Sequence, residues 1–310
     1  MAMSYLGRRL IQAAFVLWLA ATLAFVAMKL TPGDPAQALL VASGATYEEI
    51  AERRARLGLD DPLLLQYMRY LLDLLRGNLG ESWLHGRPVG RVVLEQLPPT
   101  AILATAATVV GVCLGLLLGV VAALRRSTWL DKAATTVAVL GLSTPTYWSG
   151  LVVILLFSLR LGWLPATGEG DLRHLVLPAS VLGFALSGSV ARLVRACVIE
   201  VMEESFVLAA RARGLPAWRV IFVHVLRSAL APVSAVVALQ FGFLLGGAVV
   251  TESVFARRGL GKLVVEAIMW RDLPVVQGVV VFGALVYTVV NLVADLVQAW
   301  LDPRLRENLT

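Results

Sequence analysis

The chain has 310 residues, of which 58% are hydrophobic and 15% charged, and its mean hydropathy is +0.79. This balance excludes a water-soluble enzyme, a disordered tail and a small secreted fold held by disulfides, so the bilayer is the expected solvent. The formal net charge is +6, but the Lys and Arg residues form no basic run with interleaved aromatics, so nucleic acid is not an expected partner.

Six apolar windows have the roughly 20 residues that a helix needs to cross a hydrocarbon core about 30 Å thick. They predict an all-α polytopic membrane protein with six transmembrane helices. The windows are 10–30, 100–124, 134–159, 175–197, 231–255 and 275–300. The first is interpreted as a membrane anchor rather than a signal peptide, because it is long and no A-x-A cleavage pattern follows it.

The short connections carry their Lys and Arg residues unequally, and this asymmetry predicts the orientation in the membrane. Thirteen lie on one face and six on the other, so the first face is predicted to be cytoplasmic, with both termini inside. The thirteen are Arg8, Arg9, Arg125, Arg126, Lys132, Arg192, Arg195, Arg211, Arg213, Arg219, Arg227, Arg304 and Arg306. The six are Arg160, Arg173, Arg257, Arg258, Lys262 and Arg271.

The spans divide the chain into three regions. Residues 1–30 form a cytoplasmic N-terminus with the first transmembrane helix, residues 31–98 an extracytoplasmic insertion, and residues 99–310 a core with five further transmembrane helices. The insertion is predicted to be a small helical cap on the outer surface, with helices over 45–57 and 62–75, because both segments have helical spacing and a turn-forming segment separates them.

The cytoplasmic connection 198–230 is far too long for a simple turn between neighbouring spans. Glu200 to Arg213 has a helix-forming composition, with acids in its first turn and arginines in its last. Gly214 is predicted to end this helix, and Pro216 to open a second short helix at an angle to it.

This pair of helices is expected to expose Phe206, Leu208 and Leu215 among basic residues. An apolar patch of this kind predicts a docking surface for a soluble partner.

The chain contains a series of different short motifs. They are Arg8-Arg9-Leu10, Thr31-Pro32-Gly33-Asp34-Pro35, Leu57-Gly58-Leu59-Asp60-Asp61-Pro62 with Gln66-Tyr67, Gly77-Asn78-Leu79-Gly80-Glu81-Ser82, Leu161-Gly162-Trp163-Leu164-Pro165, Gly246-Gly247 through Glu252, Gly259-Leu260-Gly261, Arg271-Asp272-Leu273-Pro274-Val275-Val276-Gln277, and Leu301-Asp302-Pro303-Arg304. Any one is weak, but all of them in order are specific. The chain resembles the permease subunit of a binding-protein-dependent ABC importer of the peptide and nickel class.

The resemblance implies a type I importer permease that moves peptides, or nickel and related small solutes, by alternating access. The implied partners are a second homologous permease subunit, two ATP-binding cassette ATPase subunits that carry ATP and Mg, an extracytoplasmic solute-binding protein and membrane lipid. The implied location is the plasma (inner) membrane of a bacterium or archaeon.

The chain itself is expected to be no enzyme and to hold no cofactor or metal. Gly259-Leu260-Gly261-Lys262 lacks the spacing of a phosphate-binding loop, and Leu263 follows the lysine. ATP hydrolysis is therefore expected on separate subunits.

The cytoplasmic stretch resembles the loop through which such permeases meet their ATPase subunits. Ala209, Ala210 and Gly214 fall on the general pattern, whereas Leu208 stands where that pattern has Glu. The resemblance implies that a partner's cleft receives this ATPase-coupling loop. Its residues are Phe206, Leu208, Ala209, Ala210, Arg211, Ala212, Arg213, Gly214 and Leu215.

Two features inside the predicted spans complete the candidate residues. Gln240, Gly242, Gly246 and Gly247 form a small, mildly polar stripe, assigned to the translocation pathway or to the interface with a second permease. Asp295 is an intramembrane charge, and because a bare carboxylate in hydrocarbon is expensive, it is interpreted as a structural partner of Arg192 or Arg195.

Two other functions remain open from the residues alone. An ion-coupled secondary transporter would need a midplane charge cluster, whereas the best-defined intramembrane carboxylate, Asp295, stands alone. A non-transporting membrane scaffold would use the inner helices for recruitment alone.

Overall fold

A computed structural model describes residues 2–30, 48–49, 52, 55, 58, 60–246 and 248–301. In this part of the chain the regular elements are helices, beside one isolated β-bridge between Glu81 and Pro88. The helices are α1 (Ala2–Leu30), α2 (Leu63–Leu75), α3 (Val89–Leu124), α4 (Trp129–Ser143), α5 (Thr146–Val153, continued by a π-helix, Ile154–Arg160), α6 (Arg173–Met202), α7 (Ser205–Ala212), α8 (Ala217–Leu245), α9 (Val249–Val254), α10 (Leu260–Met269) and α11 (Leu273–Leu301).

Five of the described helices, α1, α3, α6, α8 and α11, are long and apolar enough to cross a membrane. Helices α4 and α5 meet the same criterion together, but they are bent by 105° at their junction. Pro145 lies at this bend, immediately before α5, where it has no N–H to continue the ladder of α4. The all-α fold is confirmed, and the window predicted over 134–159 is a pair of helices bent at Pro145.

Helix α3 begins at Val89, eleven residues before the start predicted for the second span. Its 36 residues correspond to about 54 Å, well beyond the roughly 30 Å of the hydrocarbon core. Part of α3 therefore projects from the bilayer, and the predicted insertion contributes its last residues to this projecting end. The predicted helix over 45–57 lies largely outside the described residues, whereas the one over 62–75 is present as α2.

The fifth span is shifted relative to its prediction. It was expected over 231–255, but α8 runs from Ala217 to Leu245 and includes a π-helical stretch, Val220–Val225. Pro216 does precede a helix, as predicted, but that helix continues into the span instead of remaining short. The predicted apolar window joined the end of α8 to the separate helix α9, because hydropathy does not show that a helix ends near Gly246.

Helix α6 lies at the centre of the bundle, with 61% of its most apolar window buried against 11% for α1. Glycines bring α3 very close to it: a Cβ added at Gly111, Gly115 or Gly119 would lie 2.5–2.7 Å from atoms of α6. Gly188 of α6 approaches α4 as tightly, because a Cβ there would lie 2.3 Å from the Ala138 carbonyl oxygen. Small residues thus set the helix spacing, as is typical of membrane bundles.

Candidate functional site

Helix α7 is connected to two membrane spans by short links. Glu203 and Glu204 separate it from the end of α6, and four residues separate it from the start of α8. The predicted continuous helix over 200–213 is therefore wrong: its first residues complete α6, and the rest form α7. Because both links are short, a displacement of α7 acts on α6 and α8 together.

The inner face of α7 packs on the bundle. Val207 and Ala210, one turn apart, are buried in a cluster with Val198, Val220 and Val225 from the adjoining helices. Leu215 also packs against this cluster. Leu215, which the sequence placed on the exposed surface, and Ala210, which the resemblance assigned to the coupling loop, thus belong to the attached side.

The outer face of α7 is exposed and largely apolar or small. Leu208 is 72% exposed and Phe206 43% exposed, and Ser205, Ala209, Arg211, Ala212 and Arg213 are exposed as well. A large exposed leucine beside alanines and arginines suits a partner surface that approaches closely. We call this exposed set the docking face.

A Schellman turn ends α7 at Gly214, as the sequence predicts. Gly214 has a φ of +74°, a conformation that glycine adopts without a steric penalty. Its N–H donates to the Arg211 carbonyl at 2.9 Å, and the Leu215 N–H donates to the Ala210 carbonyl at 3.4 Å. This pattern satisfies the last carbonyls of the helix and turns the chain towards α8.

A buried ion pair joins α4 to α6 near the same end of the bundle. Arg195 Nε and Nη2 donate to the two carboxylate oxygens of Asp131 at 2.8 and 2.9 Å, and the Ser127 N–H donates to Asp131 as well. Arg195, one of the two arginines named as partners for Asp295, thus binds Asp131, and the pairing of Asp295 stays a prediction. The side chain of Asp295 lies outside the described residues.

The predicted stripe on α8 mostly packs within the chain. A Cβ at Gly242 would lie 3.2 Å from Tyr287 and 3.3 Å from Val290 of α11, so Gly242 allows α8 and α11 to approach. Gly246 lies near Gly283 of α11, and Gln240 is half-buried. Gly247 lies outside the described residues, and the pathway role of the stripe stays a prediction.

Sequence reasoning missed a buried carboxylate on α9. Glu252 has no exposed surface; its Oε1 accepts from the Thr100 hydroxyl at 2.7 Å, and its Oε2 from the N–H groups of Gly261 and Lys262 at 2.8 and 3.1 Å. The two N–H groups belong to the first turn of α10, where a negative charge is favoured. Burial raises the pKa of Glu252, against the lowering effects of these hydrogen bonds and of Arg257.

A second buried carboxylate lies at the start of α11. Asp272 accepts hydrogen bonds from the Ser82 hydroxyl at 2.5 Å and from the N–H groups of Trp83 and Leu84 at 3.1 and 3.2 Å. An apolar cluster that includes Val89, Val93, Leu260 and Val275 fills the space beside it. We call Glu252, Asp272 and their hydrogen-bond donors the outer clamp, which fastens residues 82–100 to residues 252–272.

The glycines of Gly259-Leu260-Gly261 serve close packing in this clamp. A Cβ at Gly259 would lie 2.3 Å from the Glu252 carboxylate, and one at Gly261 would lie 2.5 Å from the Val249 Cα. The sequence signal for the clamp was an acidic residue followed within ten positions by glycines that open a helix, a pattern that also occurs at ordinary helix starts.

Two family models match the chain on either side of residues 105–114. Residues 2–104 match the N-terminal part of binding-protein-dependent transport system membrane components, and residues 115–307 match the binding-protein-dependent transport system inner membrane component. The chain belongs to this family. It is accordingly a permease subunit of a binding-protein-dependent ABC importer, as the resemblance implied.

Relatives of this permease cover its whole length. A putative peptide transport system permease of Brucella abortus is 39% identical over 307 residues, covering 96% of this chain and 98% of the relative. A glutathione transport system permease of Salmonella paratyphi A is 38% identical over 304 residues, covering 98% and 99%. Among solved structures, a chain of the inward-facing MetNI methionine ABC transporter shares the fold, with a TM-score of 0.59, 17% identity, and coverage of 67% of this permease and 95% of that chain.

Proposed function

We propose that this permease forms the pathway through which an ATP-driven importer moves peptides across the plasma membrane, and that α7 is its contact with the ATPase. The observation that carries the proposal is the two-sided character of α7. Val207 and Ala210 attach it to the bundle, while Leu208 and its exposed neighbours have no partner surface within the described part of the chain.

The proposed assembly places the driving reaction on other chains. Two ATPase subunits hold ATP and Mg below the membrane, a second homologous permease completes the pathway, and a solute-binding protein delivers substrate outside. Both termini of this permease then lie in the cytoplasm, as the excess of Lys and Arg on that face favours. The permease itself catalyses no reaction.

Alternating access follows from how α7 is linked. Closure of the ATPase pair displaces α7, and because its inner face is packed on α6 and α8, both spans move with it. The ATPases bias the pathway only if they bind its two conformations with different affinity, so contacts at the docking face must change between states.

Peptides are the proposed substrate because the two relatives are named for peptide and glutathione transport, and glutathione is itself a short peptide. The proposal is tested by uptake of a labelled dipeptide in vesicles that hold the complete importer and its binding protein. Competition by unlabelled di- and tripeptides is expected. Competition by nickel salts alone, with none by peptides, would overturn the peptide assignment.

Crosslinking tests the ATPase contact. Cys113 and Cys197, the free cysteines of the chain, are first replaced by alanine, and Ala212→Cys is then introduced on the docking face. We expect a short bifunctional reagent to join it to an ATPase subunit in an active complex. Leu172→Cys, on a residue 80% exposed in the opposite connection, is the matched control and should give no such product. Absence of a crosslink at Ala212 and at neighbouring docking-face positions would reject the assignment.

A further inference from the structure

Helix α2 has three distinct faces. One packs on α1, where the rings of Tyr67 and Tyr70 lie 5.3 and 5.6 Å from the ring of Phe25. A second is polar and carries Arg69 and Asp73, with Arg69 paired to Asp61 at 2.9 Å.

The third face of α2 is apolar and exposed. Four of its side chains, spaced four, four and three residues apart, fall on one side of the helix. Their exposed fractions lie between 53% and 85%. They are Leu64, Met68, Leu72 and Leu75, and we call them the leucine stripe.

The contacts of α2 on α1 lie deep within the span. The spanning part of α1, Gly7–Leu30, has 24 residues, or about 36 Å, so a centred helix extends only about 3 Å past each boundary of a 30 Å hydrocarbon core. Phe25 and Thr22 precede Leu30 by five and eight residues, which places them about 4 and 9 Å inside the outer boundary. The part of α2 that touches them lies at the same depth.

The hydroxyls of Thr22 and Tyr67 are hydrogen-bonded within the protein, whereas the buried Tyr70 hydroxyl has no hydrogen-bond partner in the described part of the chain. Thr22 Oγ1 donates to the Trp18 carbonyl at 2.8 Å, so the Tyr67 hydroxyl, 2.7 Å from Thr22 Oγ1, is the donor in their mutual hydrogen bond. Nearer the surface, Lys29 Nζ donates to Gln66 Oε1. Internal pairing of this kind is what a hydrocarbon environment requires.

The leucine stripe continues the lipid-facing surface of α1. The exposed apolar side chains of α1 in this half are Leu19, Leu23, Val26 and Leu30, spaced four, three and four residues apart on the side adjacent to the α2 contact. Both helices thus carry an exposed apolar side next to the contact that joins them.

We propose that α2 is immersed in the outer leaflet, with the leucine stripe among lipid acyl chains and the face of Arg69 and Asp73 towards the headgroups. The proposal assigns a partner, the outer-leaflet lipid, to part of the helical cap predicted on the outer surface. Since α2 ends seven residues before Ser82, it would also anchor the segment that enters the outer clamp.

Spin-label accessibility tests this proposal in the complete importer, reconstituted in phospholipid vesicles without its binding protein. In the background free of Cys113 and Cys197, Met68→Cys and Leu72→Cys report on the stripe. Leu23→Cys is the lipid-facing reference, and Asp73→Cys is the control on the polar face of the same helix. Each labelled variant is first checked for ATP-dependent uptake, and Leu64→Cys replaces any stripe variant that fails.

Collision with oxygen, which concentrates in lipid, is compared with collision with a water-soluble nickel chelate. We expect labels at 68 and 72 to match the label at 23, with an oxygen-to-nickel ratio several-fold above that at 73. A ratio at 68 and 72 equal to that at 73 would place the stripe in water and overturn the proposal. Low collision with both reagents, whether before or only after the binding protein is added, would show a protein-covered surface and overturn it too.

Discussion

At one end of the bundle, two buried carboxylates with three direct donors each fasten distant segments, whereas at the other end α7 is attached by the apolar side chains Val207 and Ala210. Directional hydrogen bonds in a dry site allow one geometry, because any shift leaves buried polar groups unpaired. Apolar contacts tolerate sliding. The difference indicates that the outer clamp keeps its segments together as one body, while α7 is held less rigidly, as the proposed contact with the ATPase requires.

The largest expected effect comes from removing a clamp carboxylate. Glu252→Ala would leave the Thr100 hydroxyl proton and two backbone N–H groups without an acceptor, and we expect it to destabilise the protein by about 3 kcal/mol or more. Glu252→Gln, which retains one acceptor oxygen, is the matched control and should lose less. Thermal unfolding in detergent measures both, and equal stability of Glu252→Ala and the wild type would contradict a stabilising clamp.

Close packing beside the clamp gives the next effect. Gly261→Ala places a Cβ 2.5 Å from the Val249 Cα, so α9 and α10 must separate, at a cost of about 2 kcal/mol. Gly90→Ala is the control, since a Cβ at Gly90 of α3 meets nothing within 4 Å. We expect the unfolding temperature to fall for Gly261→Ala and to stay unchanged for Gly90→Ala.

Substitutions on the two faces of α7 should affect different properties: stability on the packed face and ATP-dependent uptake on the docking face. Val207→Ala removes two buried methyl groups, so we expect a loss of about 2 kcal/mol in stability. Leu208→Ala removes exposed surface, so its stability should change by less than about 0.5 kcal/mol, while ATP-dependent uptake falls several-fold. Unfolding and uptake are measured on the same preparations. Normal uptake by Leu208→Ala would exclude Leu208 from the proposed contact with the ATPase.

The smallest effect concerns pH. Because burial raises the pKa of Glu252, the folded state holds that proton more tightly than the unfolded state does, and stability decreases as the pH rises above about 4.3, the ordinary Glu value. The unfolding temperature of the wild type should therefore fall relative to that of Glu252→Gln as the pH rises from 4 to 7. A difference that stays constant or moves the other way would contradict the raised pKa.

Local features were predictable from the sequence, and contacts between distant residues were not. The turn at Gly214 and helix α2 follow from spacing and turn chemistry, and the spans follow from apolar length. Asp131 and Arg195 are 64 residues apart, and Thr100 and Glu252 are 152 apart, so no local pattern marks either pair. The wrong bounds of the fifth span near Gly246 arise because hydropathy averages across the end of one helix and the start of the next.

The most direct test of the account is uptake of a labelled peptide by vesicles that contain this permease, its partner permease and the binding protein, with and without the ATPase subunits. The account predicts uptake only when the ATPases and ATP are both present, and a large loss with Leu208→Ala. Uptake driven by an ion gradient in vesicles without the ATPases would contradict it.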